Sequence, residues 1–377
     1  MSEDLRKTLL ADVKRIVVKV GTAVLTDARG RINRRLIHSL CEQVHELRCR
    51  DYTVILVSSG AVGAGISHLN LKERPTAVPK LQAAAAVGQA KLISLYDECF
   101  QIHGYHAAQM LLTRDDFEDR ARYVNARNTL WALLDLDTVP IINENDTLAT
   151  EELRYGDNDV LSVLVAHLLH ADLLVILSDV DGLLQPAVRN KPAELLSLVE
   201  GMDDRIFGLA ERRRSRLGSG GMSGKLEAVK KALDAGEPAI IANGKRQNVL
   251  LRIMEAKAIG TLFAPSAPKM RSWKRWISFA ARPRGHIHVD EGASKALRQN
   301  GKSLLASGIT SVRGDFRKGD VVAIDLEGGA SFARGLTNYS SDILEVIKGL
   351  RTNQVRKKIG EDAFIEVIHR NNMVLLS

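Results

Sequence analysis

The chain has 377 residues, 45% of them hydrophobic, enough to bury a sizeable core and more than one average domain needs. Its formal charge of +8 favours anionic partners without separating nucleotide, acidic metabolite and nucleic acid. Three cysteines (Cys41, Cys49, Cys99) with no CxxC pair argue against a disulfide framework or zinc site and fit a reducing cytosol.

The N-terminal MSEDLRKTLLADVKR is charged and amphipathic, without the apolar core and cleavage site of a signal peptide. RIVVKV (15 to 20) is the first β-branched run and predicts a buried strand. It passes into KVGTAVL (19 to 25), where the Lys19 ammonium stands beside a glycine turn whose N–H groups suit an anion. Taken alone, that stretch fits a solvated strand-end lysine equally well. NRRLIHSLCEQVHELR then carries apolar residues at helical spacing, and TVILVSS (53 to 59) is a second strand. Its continuation VSSGAVGAG (57 to 65) enters a helix through Gly60, Gly63 and Gly65, so backbone can approach an anion, although the spacing is not that of GxGxxG. PKLQAAAAVGQAKLISLYDECF predicts another helix.

TVPIIN (138 to 143) is the third strand. After it, INENDTLATEELRYGDNDVLS (142 to 162) gathers Asn143, Glu144, Asn145, Asp146, Asp157, Asn158 and Asp159 into two polar clusters. Turn chemistry explains one such cluster; two supply convergent donors and acceptors for an amino acid's ammonium and carboxylate. The most apolar stretch, 160 to 177, is broken by His167, His170 and Asp172, which are expensive inside a bilayer, so a soluble protein with no membrane partner is expected. LLVILSD (173 to 179) and PAIIAN (238 to 243) complete five strands expected to be parallel. Between them LGSGGMSGK (217 to 225) opens a helix with glycines and Lys225, the makings of a phosphate cradle. Ser219 and Leu226 break the Walker A pattern, which argues against an ordinary P-loop nucleotidase.

This alternation predicts an α/β fold, an open and mainly parallel sheet sandwiched by helices, with ligands at the strand ends. No Ser/His/Asp order or metal-ligand cluster stands out, and lysines with glycine turns suit phosphoryl transfer. After Phe263 the texture changes: no acidic residue occurs between Glu255 and Asp290, while Lys269, Arg271, Lys274, Arg275, Arg282 and Arg284 accumulate. Short glycine-punctuated runs beyond predict a small barrel-like β domain. The expected boundaries are a domain over 1 to 264, a basic linker over 265 to 283 and a second domain over 284 to 377.

KVGTAVL, VSSGAVGAG, INENDT, YGDNDVLS, LSDVDGLL and GSGGMSGK occur in an order that closely resembles the amino acid kinase family, and its glutamate-phosphorylating members above all. Residues from about Arg284 resemble the PUA domain that many bacterial members append, a fold otherwise known from RNA-modifying enzymes. The likeness spans nearly the whole chain. It implies ATP-dependent phosphorylation of the side-chain carboxylate of L-glutamate to L-glutamyl 5-phosphate, the opening step of proline biosynthesis, with Mg2+ accompanying ATP. By resemblance, Lys19, Lys225 and Asp159 form the catalytic set: the lysines contact the ATP phosphates and Asp159 orients both. Ser59, Asp146 and Asn158 bind glutamate, supported by Asn143 and Asp157. Ser178 and Asp179 hold the nucleotide together with Ser219, Gly220, Gly221, Met222, Ser223, Gly224 and Lys225. Ala23, Ser178 and Gly224 depart from the commonest pattern, which has serine, threonine and threonine there. The resemblance also implies proline as a feedback inhibitor, a dimer or tetramer, a cytoplasmic location and RNA as a ligand of the tail. Acetylglutamate, aspartate and carbamate kinases fit the NEND and GDND clusters less well, and an RNA-modifying protein leaves the lysine turns unexplained.

Overall fold

The protein is described by a computed structural model covering residues 2–27, 31–147, 158–185, 193–211, 221–266, 272–326, 329–361 and 363–376. The chain divides into two compact units, Met1–Asp116 with Ala121–Met270, and Phe117–Arg120 with Arg271–Ser377.

In chain order, helix α1 (Ser2–Ala11) precedes strand β1 (Arg15–Val20), the short α2 (Thr22–Leu25) and α3 (Arg34–Cys49). Strand β2 (Thr53–Ser58) leads into α4 (Ala61–His68) and the long α5 (Val78–Gln101). Next come β3 (Ala107–Leu112), α6 (Asp115–Glu118), α7 (Arg120–Asp135), β4 (Val139–Glu144), α8 (Asn158–Leu169) and β5 (Leu173–Ser178). Short strands β6 (Leu184–Gln185), β7 (Glu194–Leu195) and β8 (Leu198–Glu200) follow. The run closes with α9 (Asp204–Glu211), α10 (Met222–Asp234), β9 (Ala239–Asn243), α11 (Val249–Met254) and β10 (Thr261–Ala264).

Eight of these strands form one sheet in the order β3-β4-β2-β1-β5-β9-β10-β8. The pairs from β3 to β9 are parallel; β10 turns antiparallel to β9, and β8 runs with β10. The five strands expected from the sequence are β1, β2, β4, β5 and β9, all in the parallel part. On one face, Val18, Val20, Leu56, Ile141 and Leu177 pack with Leu40, Val44 and Leu47 of α3 and Leu92, Tyr96 and Phe100 of α5. On the other lies α8, mostly apolar and buried from Leu161 to Leu169, as befits a helix enclosed on all sides. The apolar stretch of 160 to 177 is therefore a core helix plus a core strand, and no helix among the described residues is long and apolar enough to cross a membrane.

Helices α4 and α5 touch backbone to backbone. A Cβ added at Gly65 would stand 1.7 Å from the Ala84 carbonyl oxygen, and one at Gly88 1.7 Å from that of Ala61. At the far end of the sheet, Arg6 of α1 donates to the carbonyls of Lys257, Ile259, Ser197 and Gly260 at 2.7, 3.0, 3.1 and 3.2 Å. One buried guanidinium thus satisfies carbonyls from two separate loops, and its fixed fork suits that task.

The second unit carries α12 (Ser272–Arg275), β11 (His286–Val289), α13 (Glu291–Asn300), β12 (Ile309–Arg313), β13 (Val321–Leu326) and β14 (Ser331–Leu336). It ends with α14 (Ser341–Ile347), α15 (Thr352–Ile359) and β15 (Met373–Leu375). Its strands make a mixed sheet, β12-β11-β13-β14-β15, with a separate core of Ile287, Val322, Ile324, Phe332, Leu344 and Ile368. Within this unit Trp276 Nε1 donates to the Phe117 carbonyl at 2.9 Å.

Candidate active site

Parallel strands bring their C-terminal ends to one edge, so the motifs that looked scattered along the chain converge there. Across that edge the order is Asn143 on β4, Ser59 just past β2, Lys19 near the end of β1, Ser178 at the end of β5 and Asn243 at the end of β9. Lys19 is the most enclosed, flanked in register by Val57 and Ile176. A lysine in a central strand needs a counter-charge, and two elements supply it with company.

Asp159, in the first turn of α8, is fully buried and receives two ammonium groups: Lys19 Nζ at 2.6 Å on Oδ1 and Lys225 Nζ at 2.9 Å on Oδ2. Burial pushes the Asp159 carboxyl up, the two ammonium groups pull it down more strongly, and the result lies below the ordinary carboxylate range. One carboxylate between two lysines leaves a net positive charge at the sheet edge. Lys225 enters through the first turn of α10, whose N-cap Gly221 makes no side-chain cap bond. The N–H groups of that first turn and the positive end of the helix dipole are thus available to an anion.

Asn158, one residue before Asp159, joins a second cluster. Its Nδ2 donates to Ser59 Oγ at 2.9 Å and to Asn143 Oδ1 at 2.8 Å, and Asn143 Oδ1 also accepts the Glu144 N–H at 2.9 Å. Three elements are tied there by one amide. Asn158 Oδ1 is buried with no hydrogen-bond partner among the described residues, an acceptor placed for a ligand's donor. Gly60, between Ser59 and α4, has φ +100°, a conformation glycine adopts without strain, and this sharp turn starts α4 directly beside the cluster.

Ser178 is buried at the end of β5, its Oγ 3.2 Å from Asp179 Oδ1, while Asp179 is exposed. Asp146 sits half-buried in the turn after β4. Gly221, Met222, Ser223 and Gly224 form the start of α10 beside Lys225, whereas Asp157, Ser219 and Gly220 lie outside the described residues. The sequence reading missed the turn after β9. There Gly244 N donates to the Ser178 carbonyl at 2.8 Å, and Asn243 Nδ2 and Arg246 reach Asp181 at 3.0 and 2.6 Å. Hydrogen bonds from Arg246 and Asn243 hold the Asp181 carboxyl below its usual range. The strand-end run ANGKR, glycine and base after PAIIAN, was the available signal.

The amino acid kinase family model matches residues 14–243 and the PUA domain model residues 285–359. A glutamate 5-kinase of Caldanaerobacter subterraneus subsp. tengcongensis is 47% identical over 363 residues, covering 96% of this chain and 98% of that protein. One from Pelobacter propionicus is 42% identical, covering 99% and 100%. Among solved structures, carbamate kinase from Giardia lamblia bound to AMP-PNP aligns at a TM-score of 0.48 and 17% identity, over 68% of this chain and 100% of that one. The chain belongs to the amino acid kinase family and carries a PUA domain after its kinase domain.

Proposed function

We propose that this protein transfers the γ-phosphoryl group of ATP to the side-chain carboxylate of L-glutamate, giving L-glutamyl 5-phosphate for proline biosynthesis. The observation that carries the reading is the buried Lys19–Asp159–Lys225 bridge one residue from the Ser59–Asn158–Asn143 cluster. The attacking carboxylate is already ionised near neutral pH, so the reaction needs no general base. It needs positive charge, because two anions must meet. Lys19 and Lys225 supply this on either side of the transferring group, where charge spreads over its equatorial oxygens. Asp159 is a positioning residue: it fixes both ammonium groups, each of which carries three donors. The first turn of α10, Gly221 to Gly224, cradles the phosphates, and Ser178 with Asp179 bounds the nucleotide side. Asn158 Oδ1 accepts from the substrate ammonium, with Ser59, Asn143, Asp146 and Asp157 completing the acceptor side.

Magnesium would accompany ATP and would supply positive charge to the phosphates. Among the described residues no group of three or more His, Cys, Asp or Glu side chains is arranged to cage a metal. The same family likeness supports proline as a feedback inhibitor, a dimer or tetramer, a cytoplasmic location and RNA as a ligand of the C-terminal domain. The test is turnover: the purified chain with ATP, magnesium and L-glutamate forms an acyl phosphate trapped as the hydroxamate. Equal or faster turnover of aspartate or acetylglutamate overturns the assignment.

A further inference from the structure

Gln89 has no role in the site as described so far, and its environment gives it one. It lies on α5, is 7% exposed, and its Oε1 accepts from Gln109 Nε2 at 3.1 Å. Among the described residues its own Nε2 is buried with no acceptor. An amide donor enclosed in this way destabilises the fold unless something arrives to accept its hydrogen.

The packing fixes where this donor lies. Helix α5 runs antiparallel to the strands, because Asp97 near its end accepts the Ala107 N–H at the start of β3. Tyr96 touches Ser58 at the end of β2, its hydroxyl 3.0 Å from Ser58 Oγ. Gln89 is about two helical turns further toward the N-terminus of α5, displaced from Tyr96 in the direction of the strands' C-terminal ends. Gly88, its neighbour, abuts the Ala61 carbonyl, two residues from Ser59. On the other flank, Gln109 pairs in register with Ile141 and Leu111 with Asn143. This stretch of α5 thus reaches the turn after Ser59 on one flank and, through Gln109, the strand paired with that of Asn143 on the other, and Asn158 ties Ser59 and Asn143 together.

We propose that Gln89 donates to the α-carboxylate of the amino acid substrate and so selects acceptors that carry this second carboxylate. The inference rests on the glutamate kinase reading and assigns a part of the substrate it left without a partner: lysines meet the reacting carboxylate, Asn158 the ammonium, Gln89 the remaining anion. Gln109 occupies the Gln89 carbonyl and so turns the NH2 end toward the ligand.

The test compares L-glutamate with 4-aminobutyrate, the same molecule without its α-carboxylate, in the parent chain and in Gln89→Met. Losing a charge-assisted hydrogen bond raises KM for glutamate about tenfold to hundredfold. KM for ATP and kcat/KM for 4-aminobutyrate stay near parental values, and where 4-aminobutyrate turns over too slowly its inhibition constant against glutamate is read instead. Gln89→Glu places like charges together and loses more on glutamate than Gln89→Met. If Gln89→Met fails to fold, Gln89→Asn, an amide one methylene short, is read the same way. Equal losses on both acceptors, or an unchanged KM for glutamate, overturn the Gln89 assignment while the kinase reading stands. A parent chain that does not phosphorylate glutamate overturns the kinase reading itself.

Discussion

At the scale of single residues, Asp159 is where fold and chemistry press on the same atoms. Lys19→Met or Lys225→Met removes one charge contact to the transferring group and lowers kcat by about two to three orders of magnitude, measured as hydroxamate formation at saturating substrates. Retained kcat with only a higher KM for ATP would make that lysine a ground-state ligand. Asp159→Asn instead leaves two buried ammonium groups uncompensated and lowers unfolding free energy by about 3–5 kcal/mol at pH 7. The folded carboxyl lies below its ordinary value of 3.8, so its contribution is complete above that pH and is lost as the pH falls through the lowered folded value. The stability gap between parent and Asp159→Asn, read from denaturant unfolding, is therefore widest near neutrality and narrows in acid.

At the scale of elements, the α4–α5 crossing holds the substrate side in place. Gly65→Ala puts a methyl group 1.7 Å from the Ala84 carbonyl, so the helices must separate. The expected cost is about 1–3 kcal/mol, with a raised KM for glutamate because α4 starts beside Ser59; thermal unfolding and kinetics on one preparation check both. Five strands were legible because β-branched runs in a parallel sheet read as continuous apolar segments. Strand β3, AAQMLL, was not: it is an edge strand, mostly half-buried, and has no β-branched residue. Strands β8 and β10 are three and four residues long, too short to show a period. Local sequence singled out Lys19, Asp159 and Lys225 one by one, but it left Lys19 open to a solvated reading, and only the order of six motifs joined them as one catalytic set. Gln89 stayed hidden because a glutamine in an alanine-rich helix has the pattern of a surface position.

At the scale of the whole molecule, each unit has its own core, and every motif assigned to phosphate or substrate lies at or before Lys225. A chain ending at Ala281 retains Trp276 and its bond to Phe117, and keeps glutamate kinase activity with an altered oligomeric state or inhibitor response. A soluble, folded truncation without activity would place an essential contribution in the tail. The sheet order has one more consequence, for the protein's birth on the ribosome. Lys19 emerges early, but its strand's second neighbour, β5, is made after Asp159, and the second ammonium on that carboxylate belongs to Lys225. At about 5–20 residues per second, roughly 10 to 45 seconds pass before the last of the three charges has been synthesised. Until Asp159 is made, the nascent chain carries a lysine in an apolar strand with its neutralising partner still to come, a window in which chaperone engagement and misfolding compete with the closing of the sheet.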